Sequence, residues 1–154
     1  MENISKHVTY AEAIVSATGS RKGIDNTPTP EALKAMKITA EKLFEPIREH
    51  FGVPIRIISF YRCPALNKAV GGAKTSQHMT GEAMDLQMTG GVTNRQLWEW
   101  LKSSGIELSQ AIYEFGNDEN PDWVHVSYSS VTRSNKREFL RAIKVNGKTK
   151  YIPY

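Results

Sequence analysis

The chain has 154 residues, of which 40% are hydrophobic and 23% are charged, and its formal net charge is +4 at pH 7. These values are ordinary for a single soluble globular domain that is large enough to bury a core. The single cysteine, Cys63, excludes an internal disulfide framework. No apolar stretch approaches the length of a membrane span, so no membrane insertion is expected. The first 19 residues lack the basic region and long apolar core of a signal peptide, which predicts synthesis in the cytoplasm.

The basic residues are scattered along the chain, with one modest cluster near the C-terminus. Its members are Arg133, Lys136, Arg137 and Arg141. Such a cluster is most often a solvated surface, although it also suits nucleic acid or an anionic cell-wall polymer. No nucleic-acid-binding motif accompanies it, so nucleic acid is not an expected partner.

The first third of the chain predicts helices followed by one strand. Residues 8–18 form a short helix with Thr9 as its N-cap, and a loop rich in Gly and Pro follows. Residues 31–50 carry apolar side chains near helical spacing, with Pro46 expected to kink or shorten the helix. Gly52 and Pro54 end it, and residues 55–59 predict a strand.

The rest of the chain is expected to be mostly strands. Residues 61–72 predict a turn and a short helix, and residues 93–103 predict a helix that Thr93 caps and Gly105 closes. Strands are expected at 83–88, 110–115 and 123–128, with a hairpin of 139–145 and 148–152 around an Asn-Gly turn. We therefore expect one α+β domain over residues 1–154, an antiparallel sheet with helices packed on one side.

The segment SQHMTGEAMD places His78 seven residues before Asp85. A helix would bring the two onto one face, but the Met-Thr-Gly run makes a helix unfavourable here. A loop that turns at Gly81 and enters a strand is the alternative. In that arrangement both side chains can point into one space.

Strand alternation supports a metal site at this place. In 83–88, Met84, Leu86 and Met88 form an apolar face, which puts Asp85 on the other. In 123–128, Val124 and Val126 are apolar, which turns His125 the same way. Two imidazoles and one carboxylate suit a divalent ion such as zinc and leave a fourth position for water.

The run SFYRCPALNKAVGGAKTSQHMTGEAMDL, with DWVHVSY later, resembles the zinc D-alanyl-D-alanine peptidases. This family includes cell-wall carboxypeptidases, dipeptidases and phage peptidoglycan endopeptidases, and it shares a fold with the hedgehog signalling domain. The resemblance covers residues 24–128. It implies a zinc metallopeptidase with one Zn²⁺ per chain, held by His78, Asp85 and His125.

The same resemblance implies three further site residues. Asp122, three residues before the last histidine, occupies the place of the general base. Arg62 matches the arginine that holds substrate or the developing oxyanion, and Ser76 matches a substrate-contacting serine. Many relatives have glutamate or histidine as the base. An aspartate has a shorter side chain than glutamate, so its carboxylate has a shorter reach to the water. Strand parity also places Asp122 in the turn with Asn120 and Pro121 rather than in regular strand.

The surroundings of the ligands are less well defined by the sequence. One of Gln77, Gln87 and Gln110 is a candidate to hydrogen-bond a ligand imidazole. Trp123 is expected to pack in the core, and Cys63 to be a buried small side chain.

The function implied by the resemblance is hydrolysis of peptidoglycan stem peptides by a monomeric enzyme. Carboxypeptidase and endopeptidase activity both remain open. With no signal peptide seen, the expected setting is phage or prophage lysis, in which an endolysin-like peptidase reaches the wall through a holin. The alternative is a non-catalytic binding module in which zinc only stabilises the fold, and such a site normally has a fourth protein ligand.

Overall fold

A computed structural model describes residues 2–130 and 135–154 of the chain. Six α-helices are present in these ranges: α1 Tyr10–Ile14, α2 Ala17–Lys22, α3 Pro30–Thr39, α4 Glu45–Phe51, α5 Pro64–Ala69 and α6 Asn94–Ser103. A π-helical segment, Ala40–Phe44, and a 3₁₀ helix, Gln77–Thr80, complete the helical structure. Within the described ranges, no helix has the length and apolar character needed to cross a membrane.

The strands form one mixed sheet with the order β1-β2-β4-β3-β5-β6. Their bounds are β1 Ile55–Ser59, β2 Ala83–Met88, β3 Gln110–Glu114, β4 Trp123–Ser127, β5 Glu138–Val145 and β6 Lys148–Pro153. All neighbours are antiparallel except β3 and β5, which run parallel. The α+β prediction is confirmed, but the sheet is mostly rather than wholly antiparallel, because the connection after β4 returns the chain to the far side of β3.

Capping residues decide where the short helices begin. Thr9 and Glu12 form a capping box at α1, and Thr93 and Gln96 form another at α6. The predicted helix 8–18 is in fact two helices, because the side chain of Ser16 accepts a hydrogen bond from the N–H of Gly19 and caps α2.

The predicted long helix changes its winding just before Pro46. A π-helical segment precedes α4, and Pro46 then lies in the first turn of α4. A proline cannot donate a backbone hydrogen bond and clashes with the preceding turn of a regular α-helix. The wider π turn accommodates it. Gly52, in the left-handed conformation, ends α4 as predicted.

The two faces of the sheet have different roles. Met84, Leu86, Val124 and Val126 are fully buried and belong to the single core cluster of the described residues, together with side chains of α3 and α6. Side chains of the alternate parity point to the opposite face, where Asp85 pairs with His125 across β2 and β4. The parity predicted for both strands is confirmed, and the site lies on the face opposite the core.

The C-terminal strands form the predicted hairpin. Its turn contains Asn146 and Gly147, with φ angles of 53° and 77°. Two consecutive positive φ angles are typical of the type I′ turn that an Asn-Gly pair favours. The hairpin extends the sheet from β3, because residues 138–142 of β5 pair with residues 110–114 of β3.

Candidate metal centre and active site

A tight turn at Gly81 brings His78 toward Asp85. His78 lies in the 3₁₀ helix, Gly81 follows with a φ of 77°, and β2 begins two residues later. A Cβ atom on Gly81 would lie 2.5 Å from the Ala32 carbonyl oxygen, so the turn is pressed against α3. The hydroxyl of Thr39 donates a hydrogen bond of 3.0 Å to the Gly81 carbonyl. The segment therefore turns at Gly81, as predicted, and its packing on the core fixes the direction of both ends.

The three predicted metal ligands meet at one point. Ligand atoms of His78, Asp85 and His125 all lie within 4.8 Å of one another. Asp85 lies between the imidazoles: its Oδ2 is 3.3 Å from Nε2 of His78, and its Oδ1 is 3.0 Å from Nδ1 of His125. All three side chains are buried. Two imidazole nitrogens and a carboxylate within this distance fit a divalent zinc ion.

A backbone carbonyl orients the first of these imidazoles. Nδ1 of His78 lies 2.7 Å from the carbonyl oxygen of Phe60. Because a carbonyl oxygen only accepts, Nδ1 carries the hydrogen, and Nε2 is directed at Asp85. The acceptor for His78 is thus the main chain after β1, not one of the three glutamines that the sequence offered. A buried imidazole held in this way presents a fixed ligand atom.

Electrostatics keep Asp85 ionised despite its burial. Removal from water alone would raise the pKa of this carboxyl, but the adjacent His78 and His125 outweigh that effect and hold the pKa well below its ordinary value. The side chain is therefore a carboxylate over the whole physiological range. A buried anion between two imidazoles is an environment that favours a cation.

Arg62 and Ser76 lie next to the ligands, as the sequence predicted. Nη2 of Arg62 donates to the hydroxyl of Ser76 over 3.5 Å, and the same hydroxyl accepts a 3.2 Å hydrogen bond from the N–H of His78. The backbone N–H of Arg62 donates to the His78 carbonyl over 3.1 Å. Burial lowers the pKa of Arg62, while Asp85 and Glu114 counteract this effect. A guanidinium remains charged under these conditions.

These residues line one cavity of about 550 Å³. It contains the ligands, Arg62, Ser76 and side chains of β3, β4, β5 and β6, together with loop 70–77 on the opposite side. Its volume lies in the usual range of small-molecule and peptide sites. Trp123, which the sequence predicted as core, is half-buried and lines this cavity, with its ring 5.6 Å from that of Phe115.

A comparison with protein families agrees with this geometry. The family model described as Peptidase M15 matches residues 6–127. The chain belongs to the peptidase M15 family. M15 enzymes are zinc-dependent peptidases, which include D-Ala-D-Ala carboxypeptidases, so this chain is a metallopeptidase of that family. No curated protein matches the chain.

Asp122 occupies the position at which the M15 resemblance places a base, but it is exposed. It lies just before β4, outside regular strand as its parity predicted. Its backbone N–H donates to the Glu114 carbonyl, and its carbonyl accepts from the side chain of Asn94. Asp122 is not among the described residues that line the cavity. Its catalytic role stays a prediction.

A second carboxylic residue of the M15 peptidase, Glu114, lines the cavity together with Asp85. It lies on β3, two residues beyond Ile112, the residue that pairs with the ligand His125. Burial and the nearby Asp85 charge raise the pKa of Glu114 to about 7, against the opposing effects of His125 and Arg62. The sequence reading missed this residue. The sequence offers one indication of its position: in the predicted strand 110–115, alternation puts Glu114 on the same face as Gln110 and Ile112.

The basic cluster near the C-terminus of the M15 peptidase is partly used in internal contacts. Arg141 pairs with Asp118 over 2.6 Å, and Arg137 donates to backbone carbonyls of Leu101 and Lys102. Arg133 lies outside the described residues. The contacts of Arg137 and Arg141 favour the interpretation of a structural and solvated surface.

Proposed function

We propose that this M15 peptidase hydrolyses amide bonds in peptidoglycan stem peptides, with one zinc ion per chain bound by His78, Asp85 and His125. The observation that carries the proposal is the convergence of these ligand atoms within 4.8 Å at the wall of a peptide-sized cavity. Among the described residues the group has three protein ligands. A three-ligand site suits catalysis, because a position is left for water, whereas structural zinc sites are normally closed by four ligands.

Unpaired hydrogen-bond donors in the cavity support a peptide as the substrate. Nε of Arg62, Nε2 of Gln77 and Nε1 of Trp123 are buried and have no hydrogen-bond partner among the described protein groups. All three residues line the cavity. Buried donors without acceptors are unfavourable. Peptide carbonyls and carboxylates, which are abundant in stem peptides, supply the acceptors that these groups need.

The proposed reaction is hydrolysis of one amide bond. Bound zinc would supply Lewis acidity and lower the pKa of a coordinated water toward neutrality. The hydroxyl of the water adds to the carbonyl carbon, the C–N bond breaks, and the proton of the water ends on the leaving nitrogen. Arg62, a half-buried cation beside the ligands, stabilises negative charge that develops on the carbonyl oxygen or holds a substrate carboxylate. Ser76 orients Arg62 through its hydroxyl.

A carboxylate must carry the proton between water and leaving nitrogen, and the chain offers two. The family resemblance predicts Asp122. The cavity geometry favours Glu114, which lines the same cavity as the ligands, whereas Asp122 is exposed and is not among the described lining residues. A general base must reach the proton that it removes, so position is the first criterion. We therefore propose Glu114 as the proton carrier and Asp122 as a turn residue.

Amide hydrolysis can be tested on purified peptidoglycan. Zinc-loaded protein should release free amino groups, a chelator should stop the release, and His125→Ala should abolish both zinc binding and hydrolysis. His50→Ala is the matched control, because His50 stacks on Trp100 with ring centroids 4.7 Å apart and takes no part in the site. Hydrolysis of glycan strands with intact stem peptides would overturn the proposal. Zinc binding without any hydrolysis would instead favour the binding module.

For the biological setting we propose wall degradation by a monomeric enzyme during phage or prophage lysis. This proposal rests on the resemblance to phage endopeptidases. Cells that produce the protein together with a holin should lyse, whereas cells that produce either one alone should not. Mass spectrometry of the released peptides identifies the bond and separates carboxypeptidase from endopeptidase activity, and light scattering measures the oligomeric state.

A further inference from the structure

The C-terminal hairpin contributes a wall to the cavity although it follows the part of the chain that matches the family. The match ends at residue 127, and β5 and β6 span residues 138–153. Leu140 of β5 and Tyr151 of β6 both line the cavity. The described structure therefore extends the site beyond the segment that carries the metal ligands.

The register of the sheet shows how the hairpin continues the site. One row of successive cross-strand partners on the cavity face comprises Asp85, His125, Ile112 and Leu140. One step along the strands, a second row comprises Trp123, Glu114, Ala142 and Tyr151. Each row begins at the catalytic end and ends at the hairpin. The cavity thus runs across the strands rather than along them.

Tyr151 faces this space. Its side chain is 51% exposed, so a large part of its surface is free to contact a substrate. Burial of the remainder raises the pKa of Tyr151, and the carboxyls of Glu114 and Asp85 raise it further. Both of these groups line the cavity, so the phenol is on the cavity side of the sheet. The neighbour between Glu114 and Tyr151 in the sheet is Ala142, whose side chain is small and fully buried.

The spacing of the strands gives the number of peptide residues between the metal ligands and the hairpin. Neighbouring strands lie about 4.8 Å apart, so β5 is about 10 Å from β4, which carries His125. An extended peptide advances about 3.4 Å per residue. A peptide that crosses the strands therefore reaches Leu140 about three residues from the bond at the metal ligands, and it reaches Tyr151, one strand farther, about four residues from that bond. The wall that it meets there consists of Ile112, Leu140 and Tyr151, which is apolar and aromatic.

We propose that Leu140 and Tyr151 form a subsite for an aliphatic part of the substrate peptide, about three to four residues from the bond that is cut. The subsite makes the enzyme prefer extended stem peptides over dipeptides. This inference rests on the proposed peptidase function, and it adds a preference for substrate length that the metal centre does not itself determine. The contact is packing of an apolar group against the tyrosine ring.

A length series of synthetic peptides tests the subsite. The bond cut in purified peptidoglycan is identified first, and peptides are then extended residue by residue on either side of that bond. With zinc-loaded wild-type protein, kcat/KM should rise by about tenfold when the extension reaches the hairpin on one side. Tyr151→Ala should remove most of that gain, by about three- to tenfold, with hydrolysis of the dipeptide unchanged. Tyr151→Phe should retain the gain, because the ring remains.

Lys150→Ala is the matched control. Lys150 is the neighbouring exposed residue, and strand alternation turns it to the other face of the hairpin. It should behave as wild type, and all variants should keep the melting temperature of wild type. A wild-type enzyme without length dependence would overturn the subsite while leaving the peptidase function intact. A gain that survives Tyr151→Ala, or that Tyr151→Phe abolishes, would overturn the apolar contact. Failure to cut any peptide would instead overturn the proposed function.

Discussion

The two ends of the cavity are built in different ways. At the metal end, His78, Asp85 and His125 are buried and held by hydrogen bonds to one another and to the Phe60 carbonyl. At the hairpin end, Leu140 and Tyr151 are only partly buried and offer an apolar surface. Ligand atoms must be placed within a few tenths of an ångström, which requires a rigid and hydrogen-bonded surrounding. A wall that selects among peptides needs only shape and apolar area, so it tolerates exposure.

The two ends of the cavity also come from different parts of the sequence. All ligands lie inside the segment that matches the M15 family, whereas the hairpin lies after it. The candidate metal site is therefore located in the segment that matches the family, and the proposed selectivity in the hairpin that follows this segment. Substitutions at the two ends should accordingly affect different measured quantities.

The largest effect is expected at the metal end. His78→Ala removes a buried ligand and leaves Asp85 and His125 as an incomplete site, so the protein should lose its stoichiometric zinc and with it all detectable hydrolysis. Tyr151→Ala, at the hairpin end, should retain one zinc ion per chain. Elemental analysis of both proteins after dialysis measures the difference. Equal zinc content in the two variants would contradict the assignment of His78 as a ligand.

The next effect separates the two candidate proton carriers. Glu114→Gln keeps the shape of the side chain but removes its ability to accept a proton, so kcat should fall by about two to four orders of magnitude with zinc still bound. Asp122→Asn should leave kcat nearly unchanged, because Asp122 is exposed and asparagine is an equally good turn residue.

Steady-state kinetics and zinc analysis of the pair decide this assignment. The opposite result, a large loss in Asp122→Asn and none in Glu114→Gln, would restore Asp122 as the base. Loss of zinc in Asp122→Asn would instead identify it as a fourth ligand of a structural site.

A third effect concerns the turn that aligns the ligands. Gly81→Ala requires a left-handed conformation and places a Cβ 2.5 Å from the Ala32 carbonyl oxygen, so we expect the free energy of unfolding to fall by about 2–3 kcal/mol. Gly105→Ala is the control, because Gly105 has a similar φ of 72° and no atom within 4 Å of the added Cβ. It should lose only about 1 kcal/mol. Urea denaturation measures both, and an equal loss would show that the close packing on α3 contributes nothing.

The smallest effect is a pH dependence of stability in zinc-free protein. The pKa of Glu114 rises from an ordinary value of 4.5 to about 7 in the folded chain. Between these pH values the folded chain holds a proton that the unfolded chain has lost, so this residue makes stability fall as pH rises through the window. The full shift corresponds to about 3 kcal/mol, and solvent screening of this half-buried carboxyl reduces it, so Glu114→Gln should remove a decline on the order of 1–2 kcal/mol.

Urea denaturation of wild type and Glu114→Gln, both freed of zinc by a chelator, between pH 4.5 and pH 7.5 measures this difference. The contributions of other titrating groups cancel in the comparison. Parallel stability curves would show that Glu114 has an ordinary pKa. Zinc should weaken the dependence, because a cation favours the carboxylate.

The sequence by itself determined most of the local structure, and it predicted the three side chains that meet at the candidate metal site. Alternation of apolar residues located β2 and β4 and the face of each strand, and the glycine in the His78–Asp85 segment predicted the turn. Both are local properties, since neighbouring residues decide them through backbone sterics and burial. Strand alternation then added His125 to the pair, the family resemblance supported the set, and the structure brings all three together.

Only the tertiary structure decided which other side chains share the cavity. Glu114, Leu140 and Tyr151 line it because β3 lies beside β4 and the hairpin lies beside β3. Asp122 is exposed and is not among the described residues that line it. Strand order and register depend on how distant segments pack on the common core. The alternation of side chains within a strand does not determine strand order or register, because the same strand can pair with any of several neighbours and at several registers.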